Sequence, residues 1–90
     1  RNPTLAQMSY SVYILRGAQK ELAKLPSSDY RRLCRNIEKL ASNPRPRGGK
    51  KLVARPGWRV RAGRYRVIYE INDREKKVIV LHVANRKDIY

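Results

Sequence analysis

Apolar positions alternate with polar ones near the start of this chain, fall at helical spacing through its middle, and alternate again through its second half. The run Tyr10-Ser11-Val12-Tyr13-Ile14-Leu15 has the period of two that predicts a half-buried strand. Gly17 interrupts it. Ala18, Leu22 and Leu25 then recur at helical spacing and predict a short helix ending at Pro26. Ser27 or Ser28 suits the cap of a second helix, with Asp29 in its first turn, where a negative charge complements the helix dipole. Tyr30, Leu33, Cys34, Ile37, Leu40 and Ala41 form the apolar stripe of that helix. Arg31, Arg32, Arg35, Glu38 and Lys39 occupy its polar face, and Asn43-Pro44 ends it.

Asn43 to Gly49 carries only loop-forming chemistry. Four strands are expected beyond it. Lys51 to Ala54 is short and stops at Arg55-Pro56-Gly57. Trp58 to Ala62 and Tyr65 to Ile71 flank Gly63-Arg64, a Gly-X pair suited to a two-residue type II′ hairpin, and Lys77 to Val83 follows the turn at Asn72-Asp73-Arg74-Glu75. The expected fold is α+β: an N-terminal strand, a two-helix hairpin, then an antiparallel β-meander with the helices packed on one face. Ninety residues make one domain, residues 1–90. Residues 1–7 read as vector-derived, with Met8 as the natural start.

Charge changes the picture most. Twenty-two Lys and Arg against seven Asp and Glu leave +15. A protein so far from neutrality repels itself unless a polyanion relieves it. Nine basic residues and no acidic one lie between Arg45 and Arg66, interleaved with Leu52, Val53, Trp58, Val60 and Tyr65, so the charge belongs to a folded surface. No apolar run reaches the ~20 residues of a membrane span. The single cysteine, Cys34, has no disulfide partner and reads as a core or boundary residue in a reducing, cytoplasmic setting. Neither a metal nor a cofactor is expected, because the needed ligand clusters are absent.

The Gly63-Arg64 turn fixes a register. Ala62 pairs with Tyr65, Arg61 with Arg66, Val60 with Val67, Arg59 with Ile68 and Trp58 with Tyr69. Trp58, Val60, Ala62, Tyr65, Val67 and Tyr69 then share the face the helices cover, and Arg59, Arg61 and Arg66 share the opposite, open face. Arginines set directly across from each other weaken a sheet, and such local faults mark functional positions. Solvated strand residues are the plain alternative. A phosphate-binding surface accounts better for three arginines beside an all-basic loop, since guanidinium binds phosphate in bidentate fashion and keeps its charge. The tail from Ala84 to Tyr90 adds Arg86, Lys87 and a terminal tyrosine. His82, the sole histidine, lies in an alternating strand, where a packed or half-buried histidine is more usual than a catalytic one.

The ordered set Trp58 to Ile71, then Val80-Leu81-His82-Val83 and Asn85-Arg86-Lys87-Asp88-Ile89-Tyr90, with Lys51-Leu52 before it, resembles the RelE/ParE toxin superfamily, and its RelE branch in particular. That resemblance implies a toxin of a type II toxin–antitoxin system that cuts messenger RNA in the ribosomal A site and is held inactive by a RelB-like antitoxin. By position, Arg66 matches the family's sheet arginine, Arg86 its tail arginine and Tyr90 its C-terminal tyrosine. Arg59 and Arg61 stand where RelE has lysines, and Asn85 stands where many relatives have a histidine.

The catalytic set expected from these readings is Arg61, Arg66, Arg86 and Tyr90. Lys50, Lys51, Arg55, Arg59, Arg64 and Lys87 are expected to bind RNA phosphates. Cleavage by 2′-hydroxyl attack needs a base, a stabiliser for the phosphorane charge and an acid. The sequence is rich in the stabiliser and poor in the other two. A ParE-like inhibitor of gyrase and a non-catalytic, basic nucleic-acid-binding module are the rival readings.

Overall fold

The computed structural model describes residues 9–85. The expectations for residues 1–7, Arg86, Lys87 and Tyr90 lie outside that range. The elements are β1 (Ser11–Ile14), α1 (Arg16–Ala23), α2 (Ser27–Lys39), β2 (Lys50–Lys51), β3 (Trp58–Ala62), β4 (Tyr65–Asn72) and β5 (Lys77–Asn85). The strands form one five-stranded sheet in the order β1-β5-β4-β3-β2. The meander β3-β4-β5 is antiparallel, whereas β1 pairs parallel to β5, which places the N-terminal strand at one edge.

The α+β expectation holds, and the core lies between the helix pair and one face of the sheet. Ala18 and Leu22 of α1, Leu33 and Ile37 of α2, and Leu40 just beyond it pack with Ala62, Val67, Tyr69, Val78, Val80 and Val83. Val80 and Val83 are both buried although three positions apart, which regular alternation forbids. A bulge reconciles them: Ile68 opposes His82 but Tyr69 opposes Val80, leaving Leu81 as the extra residue.

Two boundaries differ from expectation for local reasons. The cap of α2 is Pro26 rather than Ser27 or Ser28, and no side chain caps the helix. Proline's ring holds its φ near −55°, so the helix starts a residue early and the Pro26 carbonyl accepts the Tyr30 N–H at 2.9 Å. Strand β2 is two residues long, not the expected Lys51 to Ala54. The Leu52 N–H instead donates to the Gly57 carbonyl at 2.9 Å, Ala54 takes a φ of 70°, and Val53 is left 90% exposed. Pro56 cannot donate to a ladder, so the chain turns back before a longer strand forms.

The loop between α2 and β2 is fastened to the sheet at two points. The buried Tyr69 hydroxyl donates to the Pro44 carbonyl at 2.7 Å, and burial pushes its pKa up to about 12. Arg45 makes a forked pair with Asp73, Nη1 to Oδ1 at 3.1 Å and Nη2 to Oδ2 at 2.8 Å, and the Tyr10 hydroxyl donates to the same carboxylate at 2.6 Å. The Arg45 guanidinium also lies 5.4 Å from the centre of the Trp58 ring. The hydrogen bond from Arg45, and then that from Tyr10, lowers the Asp73 pKa from 3.8 to about 2.

A carboxylate whose folded pKa is lowered contributes stability that is present above its unfolded pKa and is lost as pH falls through the folded value. The melting-temperature gap between wild type and Asp73→Asn is therefore expected to be full above pH 4 and to close between 3.8 and about 2. Thermal melts across that range check this, and a gap that persists at the acid end would contradict the latch.

Candidate nucleic-acid interface

The Gly63 turn is where the site begins. Gly63 adopts a φ of +62°, open to glycine at no steric cost, as a type II′ turn requires at its first position. The register follows in full, with Ala62 opposite Tyr65, Arg61 opposite Arg66, Val60 opposite Val67, Arg59 opposite Ile68 and Trp58 opposite Tyr69. Pairings on either side extend this into two rows on the face away from the helices. Lys50, Arg59, Ile68 and His82 share one row, and Arg61, Arg66 and Ala84 share the next.

A cleft of about 330 Å³ opens on this face, lined by Gly48, Lys50, Arg59, Val60, Arg61 and Arg66. Four cations converge there, and no carboxylate is among the described lining residues. The face is less open than the alternation implied. Arg66 is only 6% exposed, with Nε and Nη1 shut off from solvent, and Ile68 is 1% exposed. Both sit on β4, the middle strand of the five, so neighbours crowd them from each side. Arg61, on β3, is exposed and Arg59 half-buried.

The structure sorts the remaining candidates. Lys51 pairs with Trp58 and sets its Nζ 5.9 Å from that ring, on the other face from the cleft. Lys50, one residue earlier, takes the cleft position. Arg55 is exposed in the turn after β2 and Arg64 is exposed in the hairpin turn; neither lines the cleft. Arg45 is committed to Asp73. Arg86, Lys87 and Tyr90 lie outside the described residues. Of the candidates that can be placed, Lys50, Arg59, Arg61 and Arg66 come together.

His82 departs from expectation. Its side chain is 57% exposed rather than packed, with Nδ1 3.9 Å from Oε1 of Glu21. The same Glu21 oxygen accepts the Val83 N–H at 2.8 Å. Beyond Ile14 strand β1 no longer covers the outer edge of β5, and Glu21, reaching over from α1, satisfies the edge there. Alternation alone could not reveal this, because it depends on where β1 ends and on the bulge at Leu81.

Chemically the cleft can hold an anion and stabilise added negative charge. Its three arginines keep their protons and so cannot serve as bases. No group of three or more His, Cys, Asp or Glu among the described residues is placed to hold a metal. No described helix is long and apolar enough to cross a membrane.

The family described as the ParE toxin of type II toxin–antitoxin systems matches residues 12–90. Comparison with curated protein sequences found no match. Among solved structures, the archaeal RelE–RelB complex from Pyrococcus horikoshii OT3 is similar at 33% identity and a TM-score of 0.79, covering 90% of this chain and 99% of that one. The RelBE2 toxin–antitoxin complex from Mycobacterium tuberculosis is similar at 30% identity and a TM-score of 0.78, covering 87% and 99%. The intact E. coli RelBE complex is similar at 25% identity and a TM-score of 0.75, covering 86% and 96%.

The cross-strand arginines generate a test. Arg61→Gln removes one of two facing charges and is expected to leave the free protein equally stable or more stable, by roughly 0.2–1 kcal/mol. Inorganic phosphate is expected to raise the melting temperature of wild type well above a sodium chloride control of equal ionic strength, and to raise that of Arg61→Gln much less. Equal gains in both proteins would show that the cleft is not where the anion binds.

Proposed function

The chain belongs to the ParE toxin family of type II toxin–antitoxin systems, and from that premise we propose that it is a ribosome-dependent endoribonuclease that cuts messenger RNA. The observation that carries this reading is the cleft in which Lys50, Arg59, Arg61 and Arg66 converge. A phosphodiester is the ligand such a site fits: it is anionic, it suits the guanidinium fork, and it gains charge during cleavage. The similar Pyrococcus and Mycobacterium structures are RelE-type proteins in complexes with their antitoxins, which supports the same reading.

In the reaction, Arg61 and Arg66 hold the scissile phosphate and stabilise the phosphorane. Lys50 and Arg59 hold its flanking charge. By resemblance, Arg86 joins the clamp and Tyr90 orients the 2′-hydroxyl. The A site supplies in-line geometry, and such positioning alone accounts for a large share of a rate enhancement. Naked RNA is therefore a poor substrate. The cognate partner is a RelB-like antitoxin whose acidic or amphipathic segment covers the cationic face. One observation favours a second reading: the matching family takes its name from ParE. A gyrase inhibitor would use the same face to bind without cutting.

Primer-extension mapping with programmed ribosomes and, in parallel, naked messenger RNA separates the two. Cuts within the A-site codon, absent from naked RNA, are expected. Arg61→Ala is the informative variant, because Arg61 is exposed and the core does not depend on it. It is expected to slow cleavage by about 10²-fold or more, the usual cost of losing one transition-state charge donor. Absence of cuts together with trapped gyrase–DNA complexes would overturn the endoribonuclease reading.

A further inference from the structure

The three arginines of the cleft cannot take a proton, and the structure holds an imidazole beside them. We propose that His82 is the general base of this site, taking the 2′-hydroxyl proton of the RNA whose phosphate Arg61 and Arg66 hold; the assignment rests on the endoribonuclease reading above. Three observations carry it. His82 opposes Ile68 on β4, and Arg66 precedes Ile68 by two residues, so His82 and Arg66 are diagonal neighbours on one face. Diagonal neighbours in an antiparallel pair sit ~7–8 Å apart, close enough for one nucleotide to touch both side chains. The imidazole is exposed, and it is the only one in the sequence.

The third observation is Glu21. Its carboxylate is held in place by the Val83 N–H at 2.8 Å and stands 3.9 Å from Nδ1 of His82. A base oriented by a fixed carboxylate is the arrangement that activates hydroxyl nucleophiles, and such contacts tighten when substrate binds. With Nδ1 turned to Glu21, Nε2 is the nitrogen left for substrate. The charged groups that the structure sets beside His82 are Glu21 from α1 and, diagonally across the sheet, Arg66 from β4. Strand β1 stops opposite Val80, short of it, and β5 itself carries no other ionisable side chain between Lys77 and Asn85.

The step balances without a co-reactant beyond water. Nε2 accepts the 2′-hydroxyl proton as the 2′-oxygen bonds to phosphorus. The P–O5′ bond breaks, the 5′-oxygen takes a proton from water, and the imidazolium returns its proton to the solvent. The products are a 2′,3′-cyclic phosphate and a 5′-hydroxyl. Glu21 acts through His82 and is a positioning residue.

Single-turnover cleavage of programmed ribosomes between pH 5 and 9 tests the assignment. The wild-type rate is expected to rise tenfold per pH unit at the acid end and then level off. His82→Gln is expected to lower the plateau by about 10²-fold or more, to flatten the acid limb, and to leave ribosome affinity unchanged. Glu21→Gln keeps an oxygen for the Val83 N–H and is expected to slow cleavage less. Combined with His82→Gln it should add no further loss, the coupling that a purely structural role would not show. If the wild type cuts and His82→Gln cuts as fast with the same profile, the base assignment alone falls. If the wild type cuts nothing, the endoribonuclease reading falls and takes the base with it.

Discussion

The facing arginines of β3 and β4, Arg61 across from Arg66, are the constraint around which the rest of the molecule is arranged. Their juxtaposition follows from the two-residue turn at Gly63-Arg64, because that turn leaves no freedom of register. The same register sends Val60, Ala62, Val67 and Tyr69 toward the helices and brings Arg59 into the row beside the facing pair. A one-residue slip would bury the arginines under α1 and α2 and expose the core residues. Burial of the apolar face thus holds two like charges together in a position they would not choose alone. The repulsion is small beside the burial that enforces it, and the phosphate we propose for this site would convert it into attraction.

The other parts hold this arrangement from its edges. Tyr69 reaches through the core to the Pro44 carbonyl, and Arg45 grips Asp73, so the loop that delivers Gly48 and Lys50 to the cleft is tied to the sheet at two adjacent residues midway along its path. Tyr65 donates to Asp29 at 2.9 Å and fastens the first turn of α2 to β4 next to the hairpin. Few carboxylates are present, and those described here are used with economy. Asp73 holds Arg45 at the loop, Asp29 anchors a helix, and Glu21 closes the uncovered edge of β5. The lining of the cleft itself is left cationic.

Local patterns were legible wherever one residue type decides the outcome. Gly63 fixed the hairpin, the alternation from Trp58 to Tyr69 fixed its faces, and the stripe at Leu33 and Ile37 fixed the buried side of α2. What sequence could not supply depends on contacts between distant segments. The parallel pairing of β1 with β5, the capture of Arg45 by Asp73, and the crowding of Arg66 on the central strand all join residues far apart in the chain. The bulge at Leu81 was hidden for a related reason, because an apolar run that breaks alternation looks the same whether one residue is extra or the strand simply ends. Lys50 and Lys51 were both expected at the phosphate, and only Lys50 lines the cleft, because a two-residue strand offers no alternation from which to tell its faces.

The central claim is that the described basic residues are divided, with Lys50, Arg59, Arg61 and Arg66 reading the phosphate and the rest serving the fold or the surface. Guanidinium-resolved NMR, with each arginine assigned and a short RNA carrying 2′-deoxy sugars added so that it binds without being cut, tests that division most directly. The side-chain signals of Arg59, Arg61 and Arg66 should shift together and saturate, while Arg45, Arg55 and Arg64 stay near their starting positions. Shifts concentrated on Arg55, Arg64 or the arginines of α2, with the cleft unmoved, would place RNA binding elsewhere and contradict the claim.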